Sequence, residues 1–488
     1  MRLILASLTL WFLAAAVRLR ELEHVIISSD SLGPYLRALS LSSGALPRPP
    51  NPESGDGLWL LAWPLTQIAE NLTHLMQLRL AIGGIVAPAA FMAAWGFLPT
   101  TTRGTQRWIA SMTAGVLVAM DPGLVDTLIS GARSYGAPEL IGLATATGAW
   151  ALRGHTKAAL ATVVLLMLAV DHHPLAAGLG LGLVAWWMRL RGTLGRRTLT
   201  MAAVLGATLA IPRMLRTGAQ AMCGEGPIAC LAGVAQSNVA EEVSRTDVIG
   251  LALHDRFAVD LGWMWPILLL GLLISLRRDD TRLAGIWALA GLCGVMLLGG
   301  LISYIRPYHL RIVAVPIAVA AALGLVRLWP IGLGLACSSA FWGWTERPVG
   351  PDPGALHRAD QIAEAIVDLP GDLWVDQVWW DGPPRVDAPA VVLSAVLAGT
   401  KPDRFQLSQD ATMILLTSAG PPAPWPPILE GPGWRVHPAP NAAAARRWVQ
   451  ERAARPHSQG GALDWASALH PNTARSEDAR WWVAPQSE

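Results

Sequence analysis

The feature that most limits what this chain can fold into is a series of apolar stretches divided by short, arginine-rich loops. A helix needs roughly 20 apolar residues to cross a bilayer, with a working range of about 17 to 25. About eleven stretches approach that length, near residues 2–18, 78–98, 107–123, 138–152, 157–171, 174–189, 198–215, 261–276, 283–303, 310–327 and 330–344. Composition agrees, because 52% of the residues are hydrophobic and only 15% are charged, which excludes an ordinary soluble domain. A net charge of +2 gives no reason to expect a nucleic-acid partner. The chain reads as a polytopic α-helical membrane protein surrounded by membrane lipids.

The first stretch, "MRLILASLTLWFLAAAVRLR", resembles a signal peptide but lacks a polar cleavage region and is followed by Arg18 and Arg20. It is expected to stay as a signal-anchor helix. Orientation follows from the basic loops "TTTRGTQR" (100–107), "RGHTK" (153–157), "RLRGTLGRR" (189–197) and "RRDDTR" (277–282), which belong on the cytoplasmic side. The N-terminus is then cytoplasmic, and an odd number of spans carries the C-terminal region outside. The use of arginine almost to the exclusion of lysine suggests a GC-rich bacterial genome, and so a bacterial inner membrane with a periplasmic C-terminal domain.

Three regions follow. Residues 1–344 form the membrane domain, with long outside loops at about 19–77 and 213–260. Residues 345–454 turn Pro-, Asp- and Trp-rich and read as a small α/β domain, with helices near 355–368 and in "APAVVLSAVLAG" and strands near 373–379, in "TMILLTS" and in "WRVHPA". "NAAAARRWVQERAA" reads as one more, amphipathic helix. Residues 455–488 form a polar tail.

On this topology the ionisable residues gather outside. Asp30, Tyr35, Arg37, Glu53 and Asp56 fall in the first outside loop, and Asp121, Asp126, Arg133, Tyr135 and Glu139 in the second. Asp171, His172 and His173 occupy the third, while Arg306, His309 and Arg311 border the tenth span. Ionisable groups at helix ends in a membrane are costly and often functional, although interfacial anchoring is the simpler reading of any one of them. Carboxylates opposite an Arg/His group suit a reaction that releases a phosphate-bearing leaving group. Cys223 and Cys230 share an outside loop and are candidates for a disulfide, whereas Cys293 and Cys337 lie within spans and read as packing residues.

Several of these segments resemble the glycosyltransferase C superfamily. "SSDSLGPYLRA" is similar to the acidic element that opens the first outside loop there, and "NPESGDGLWLLAWPL" (51–65) is similar to that loop's continuation in oligosaccharyltransferases. The resemblance implies a transferase that moves a sugar from a polyprenyl-phosphate or pyrophosphate carrier to a lipid, glycan or protein acceptor outside the cytoplasm. It implies Asp30 as catalytic base or acceptor-positioning carboxylate; the string "SSDS" equally suits a helix cap.

"SGARSYGAPEL" resembles the family's second-loop element, with Arg133 and Tyr135 at the substrate and Glu139 as a second catalytic carboxylate. Where the family shows Asp-x-Asp, this chain has Ala137, Pro138 and Glu139, a thin donor set for a divalent cation such as Mg or Mn. Asp171, His172 and His173 are candidates for the carrier phosphate, with a polar turn before Pro174 as the alternative. "SYIRPYHLRIVAVPIA" resembles the late Arg element, which makes Arg306, His309 and Arg311 candidate leaving-group stabilisers. "VWWDG" resembles the acceptor-recognition motif of oligosaccharyltransferases and points to Trp379, Trp380 and Asp381, but Gly382 stands where that motif has Tyr; packing of a strand end is the alternative. The rival readings of the whole chain are a transporter or flippase of a lipid-linked glycan and an inactive scaffold of the same fold.

Overall fold

The computed structural model describes residues 1–25, 57–129, 136–191, 193–220, 245–301, 307–345, 354–369, 373–375, 388–400, 413–416, 424–431 and 434–441, with 32, 35, 38, 39, 443, 444, 447 and 448. Asp30, Arg133, Tyr135, Cys223, Cys230, Arg306, Trp379, Trp380 and Asp381 lie outside the described residues, as does the 455–488 tail.

Among the described residues, each of the eleven apolar stretches is largely helical. The chain begins with α1 (Arg2–Leu19), then α2 (Gly57–Ile68), α3 (Leu72–Gly83), α4 (Val86–Phe97), α5 (Gly104–Ala119) and α6 (Pro122–Ile129). There follow α7 (Ala137–Ala151), α8 (Thr156–His172), α9 (Gly180–Leu190), α10 (Arg196–Gln220), α11 (Arg245–His254), α12 (Trp265–Arg277) and α13 (Arg282–Leu301). The membrane part closes with α14 (Ala314–Gly324) and α15 (Trp329–Thr345). Among the described residues, four helical stretches are long and apolar enough to cross a membrane, or five if a pair bent by 103° between Ile249–Asp260 and Gly262–Arg277 is one span.

One of those four, Arg311–Thr345, doubles back on itself. Arg311 donates from Nε to the Asp260 carboxylate at 2.8 Å and Trp342 donates from Nε1 to the Asp260 backbone carbonyl at 3.3 Å. A straight helix would separate those two residues by about 46 Å. α14 and α15 are therefore the two legs of a hairpin, as the separate stretches 310–327 and 330–344 anticipated.

The bundle core is built from small side chains. Ala90, Ala93, Ala94, Ala114, Ala144, Ala288 and Ala318 to Ala322 sit in one apolar cluster with Val86, Ile141, Trp186 and Trp287. With lipid outside, helices gain little from apolarity and pack by close backbone approach. A Cβ on Gly324 would stand 1.8 Å from the Gly271 carbonyl oxygen, so α12 and α14 touch backbone to backbone. α1 is part of this body, burying Leu10, Ala14, Ala15 and Val17 while Ile4, Leu5, Leu8 and Phe12 stay exposed. Cys293 and Cys337 are not inner packing residues: both are free and exposed on their helices.

After the membrane part come α16 (Ala355–Val367), β1 (Leu373–Val375), α17 (Ala388–Leu397), β2 (Met413–Leu416), β3 (Leu429–Gly431) and β4 (Trp434–Pro438). The strands form one sheet in the order β1-β2-β4-β3. β1 and β2 run parallel, and β2–β4 and β3–β4 antiparallel. The short β3, "LEG", has no alternating pattern and was not expected from the sequence. Among the described residues this region has no separate core: Leu356, Ala359, Ile362, Leu373, Val391, Leu393 and Val436 share one apolar cluster with Leu32, Tyr35, Ala62, Leu65, Leu72, Leu75 and Leu80. The boundary near 345 is thus a change in architecture rather than a gap in packing.

Candidate functional site

α3, the start of α7 and the end of α8 meet around Glu139. Gly136 precedes α7 with φ at +97°, a conformation that L side chains rarely adopt. A Cβ there would also lie 2.8 Å from His172 Nε2. The turn into α7 can therefore close against the end of α8 only with glycine at this position. Pro138 then starts α7, leaving Glu139 in its first turn, where a carboxylate complements the helix N-terminus.

Glu139 does not stand as an isolated acid. Its Oε1 accepts a hydrogen bond from Arg79 Nη2 at 2.7 Å, and both residues are buried. Arg79 comes from α3, inside the stretch 78–98 that was read as plain membrane span. A charge in such a stretch was itself the signal that would have found it. Arg18, read from the sequence as a flanking charge of α1, is completely buried. Its Nη1 donates to the carbonyls of Ala14 at 3.0 Å and Ala119 at 3.3 Å, while Nε and Nη2 find no partner among the described residues. Glu139, Asp121 and Arg79 are the charges that act on it.

His172 lies beyond the apolar stretch Thr156–Val170 and is buried. Burial first, and then the positive charge of Arg79, drive its imidazole down to about 3, so the ring is neutral. His173 packs against His309 with ring centroids 4.6 Å apart, and its Nδ1 accepts from Leu175 N, capping the turn that follows. Asp171 belongs to the last turn of α8.

Beside this group lies a second one, with every member tied to another. Arg256 donates from Nη1 to Asp121 at 2.9 Å and to Asp260 at 3.1 Å, and from Nη2 to Asp121 at 2.5 Å. Arg311 donates from Nε and Nη2 to the two Asp260 oxygens at 2.8 and 2.9 Å, and from Nη1 to Asp126. Arg256 and Asp260 sit in the π-helical turn Asp255–Asp260, just before the 103° bend. The wider turn brings both side chains of the i, i+4 pair inward, an arrangement that apolar periodicity does not signal. Asp121 also accepts from the Gly123 backbone at 3.0 Å, capping the start of α6. A phosphate approaching Arg311 would compete with Asp126 and Asp260 for its forked donors.

Glu139, His172, His173, His309 and Arg311 are thus brought to the same end of the bundle, while Arg79, Arg18, Arg256 and Asp260 join them without having been singled out. Among the described residues, no group of three or more His, Cys, Asp or Glu is placed to hold a metal ion. A groove of about 390 Å³, lined by Leu19, Leu22, His74, Gln77, Leu78 and Ala81, opens between the ends of α1 and α3. Neither Arg18 nor Arg79 lines it, so it is a mainly apolar neighbour of the charged group rather than the group's own cavity.

No protein-family model matches the sequence, and no curated protein matches it. Solved structures do. ArnT from Cupriavidus metallidurans bound to undecaprenyl phosphate aligns with a TM-score of 0.58 at 12% identity, covering 89% of this chain and 97% of that one. The same protein in its apo state gives 0.53 at 14% identity, covering 91% and 97%. The archaeal oligosaccharyltransferase AglB from Archaeoglobus fulgidus, in complex with an inhibitory peptide and a dolichol-phosphate, aligns at 0.47 and 12% identity over 84% and 69%, too distant to carry an argument. The chain has the glycosyltransferase C fold.

Proposed function

We propose that this protein transfers a sugar from a polyprenyl-phosphate carrier to a lipid, glycan or protein acceptor on the extracytoplasmic face of a bacterial inner membrane. The observation that carries the reading is the meeting of Arg79, from α3, with Glu139 and His172, from α7 and α8, in a buried group of charge at the end of the bundle that the basic-loop rule assigns to the outside. Buried ionisable groups in a membrane protein are expensive to maintain and mark substrate paths or reaction centres. The ArnT structure with the same fold holds undecaprenyl phosphate, a ligand of the class proposed here.

The residues divide the chemistry as follows. Asp30 accepts the proton that the attacking acceptor group loses as the glycosidic bond forms. Glu139, held by Arg79, supplies a second carboxylate at the reacting centre. Guanidinium groups on this side, Arg79 and Arg18 together with Arg306, offset the charge left on the carrier phosphate when the sugar departs. Arg133, Tyr135, Asp171 and His309 complete the expected substrate contacts.

The test is transfer from a panel of undecaprenyl-phosphate-linked sugars by the full-length protein in nanodiscs, wild type against Asp30→Asn. Loss of the base is expected to slow transfer about 100-fold or more. Equal transfer by the two proteins would remove Asp30 from its role, and absence of transfer from every carrier-linked sugar would sink the reading itself. EDTA in parallel reads the divalent cation, supported by lost transfer that Mg or Mn restores.

A further inference from the structure

The first four backbone N–H groups of a helix have no partner within it. In α3 those of its first three residues are all satisfied, and two of the three find their acceptor at the other end of the chain. His74 N donates to the Asn71 side chain at 2.8 Å and Leu75 N to the Asn71 carbonyl at 3.0 Å. Leu72 N and Thr73 N donate to Oδ1 and Oδ2 of Asp360, each at 3.0 Å. Asp360 belongs to α16 in the C-terminal α/β region, and Ser394 of α17 donates its hydroxyl to the same Oδ1. A carboxylate at this point also meets the positive end of the helix dipole.

The contact stands on a packed surface. α3 buries Leu72, Leu75, Met76, Arg79 and Leu80, and α16 buries Ala355, Leu356, Ala359, Ile362, Ala363 and Ile366. The apolar members of both sets belong to one cluster. The start of α16 is also tied to the turn that follows α1, where Gly354 N donates to the Glu23 carbonyl at 3.2 Å. Leu72 and Arg79 are seven residues apart, so they share one face of α3 about 10 Å along its axis. The face that the C-terminal region grips is the face that delivers Arg79 to Glu139.

We infer that Asp360 is a positioning residue: docking of the C-terminal region sets the axial placement of α3, and through it the Arg79–Glu139 pair. This rests on reading that pair as part of the reaction site. A swing or slide of α3 by one or two ångströms would separate Arg79 Nη2 from Glu139 Oε1 beyond hydrogen-bond distance. The C-terminal region would then govern the chemistry without contacting a reacting atom.

Hydrogen exchange on the full-length protein in nanodiscs tests the coupling without any turnover. Asp360→Ala is expected to speed exchange roughly 5- to 10-fold, the usual consequence of a lost cap, through residues 72–83 and into the first turn of α7. Exchange in α12 should stay unchanged, and Asp360→Asn, which keeps an acceptor oxygen but no charge, should fall between. Faster exchange confined to residues 72–75 would overturn the inference, since a purely local cap acts only there. If Asp360→Ala fails to fold, Ser394→Ala removes only the hydroxyl that orients the carboxylate and should give the same pattern in weaker form.

Binding of undecaprenyl phosphate, followed by tryptophan fluorescence, supplies the second arm. Asp360→Ala should weaken it several-fold in the wild-type background and have no added effect on Arg79→Lys, as for groups that act in series. Additive effects would overturn the series. Wild-type protein that binds no undecaprenyl phosphate would count against the carrier reading, leaving the exchange pattern to decide the positioning role.

Discussion

Two largely buried groups of charge lie side by side in this bundle, and they are solved in different ways. Asp121, Asp126, Asp260, Arg256 and Arg311 form a closed lattice in which each guanidinium is held by two carboxylates. Arg18, Arg79 and Glu139 have one carboxylate between two guanidiniums, and two of the Arg18 nitrogens meet no partner among the described residues. The first group carries a formal charge of −1, from three Asp and two Arg, and the second +1, from two Arg and one Glu. Counted over these eight residues the two sum to zero, with Arg18, on which Asp121 and Glu139 both act, as the link. In the first group every carboxylate is paired, which ties α6 to the π-helical turn after α11 and to the turn before α14; the excess positive charge of the second suits it to meet an anion that arrives and leaves.

The largest effect expected from this contrast is on the closed side. Arg256→Ala leaves Asp121 and Asp260 buried with a shared partner gone, a loss on the order of 3–5 kcal/mol. It should show as a collapse of the thermal midpoint and of monodisperse protein in detergent, and adding Asp121→Asn should recover part of it. A small effect would mean that the lattice is not the scaffold.

Next comes Glu139→Gln, which is nearly isosteric and leaves Arg79 and Arg18 without their shared countercharge. Transfer should fall about 100-fold, in the range for loss of a positioned acid or base, while the protein stays folded. An unfolded Glu139→Gln protein would erase the contrast, because both groups would then be structural.

The smallest effect concerns pH. His172 is neutral in the fold, with its imidazole lowered to about 3 by burial and then by Arg79, whereas an unfolded chain takes up this proton near pH 6.5. The unfolded state therefore binds more protons below that value, and stability falls as the pH drops from about 6.5 toward 3. Between pH 7 and pH 5 the loss should be about 2 kcal/mol, read as a falling thermal midpoint that His172→Gln flattens. An unchanged slope in the variant would place His172 in contact with water rather than in the dry end of α8.

Much of the scaffold was legible. Residues 138–152 were expected as a span and α7 covers Ala137–Ala151; 157–171 was expected and α8 covers Thr156–His172. Long apolar runs announce themselves because each residue contributes independently to transfer into lipid. The strands in "TMILLTS" and "WRVHPA" were found in the same way, but β3 was not, since three residues, Leu429–Gly431, carry no period. Glu139, Asp126 and Arg311 were picked out, but Arg79 and Asp260 were not: nothing in local sequence ties Arg79 to Glu139 across 60 positions, or Arg311 to Asp260 across 51.

The sequence by itself determined the membrane class and the helical stretches, because hydropathy acts on each segment alone. It also carried the family likeness that the fold bears out. Only the tertiary structure decided that Arg18 is buried rather than flanking, that Arg311 is clasped by two aspartates, and that Asp360 caps a helix some 290 positions earlier. The pairing of a buried charge is a property of the chain's closed arrangement, since the energy of an ion pair depends on separation in space and on the dryness around it.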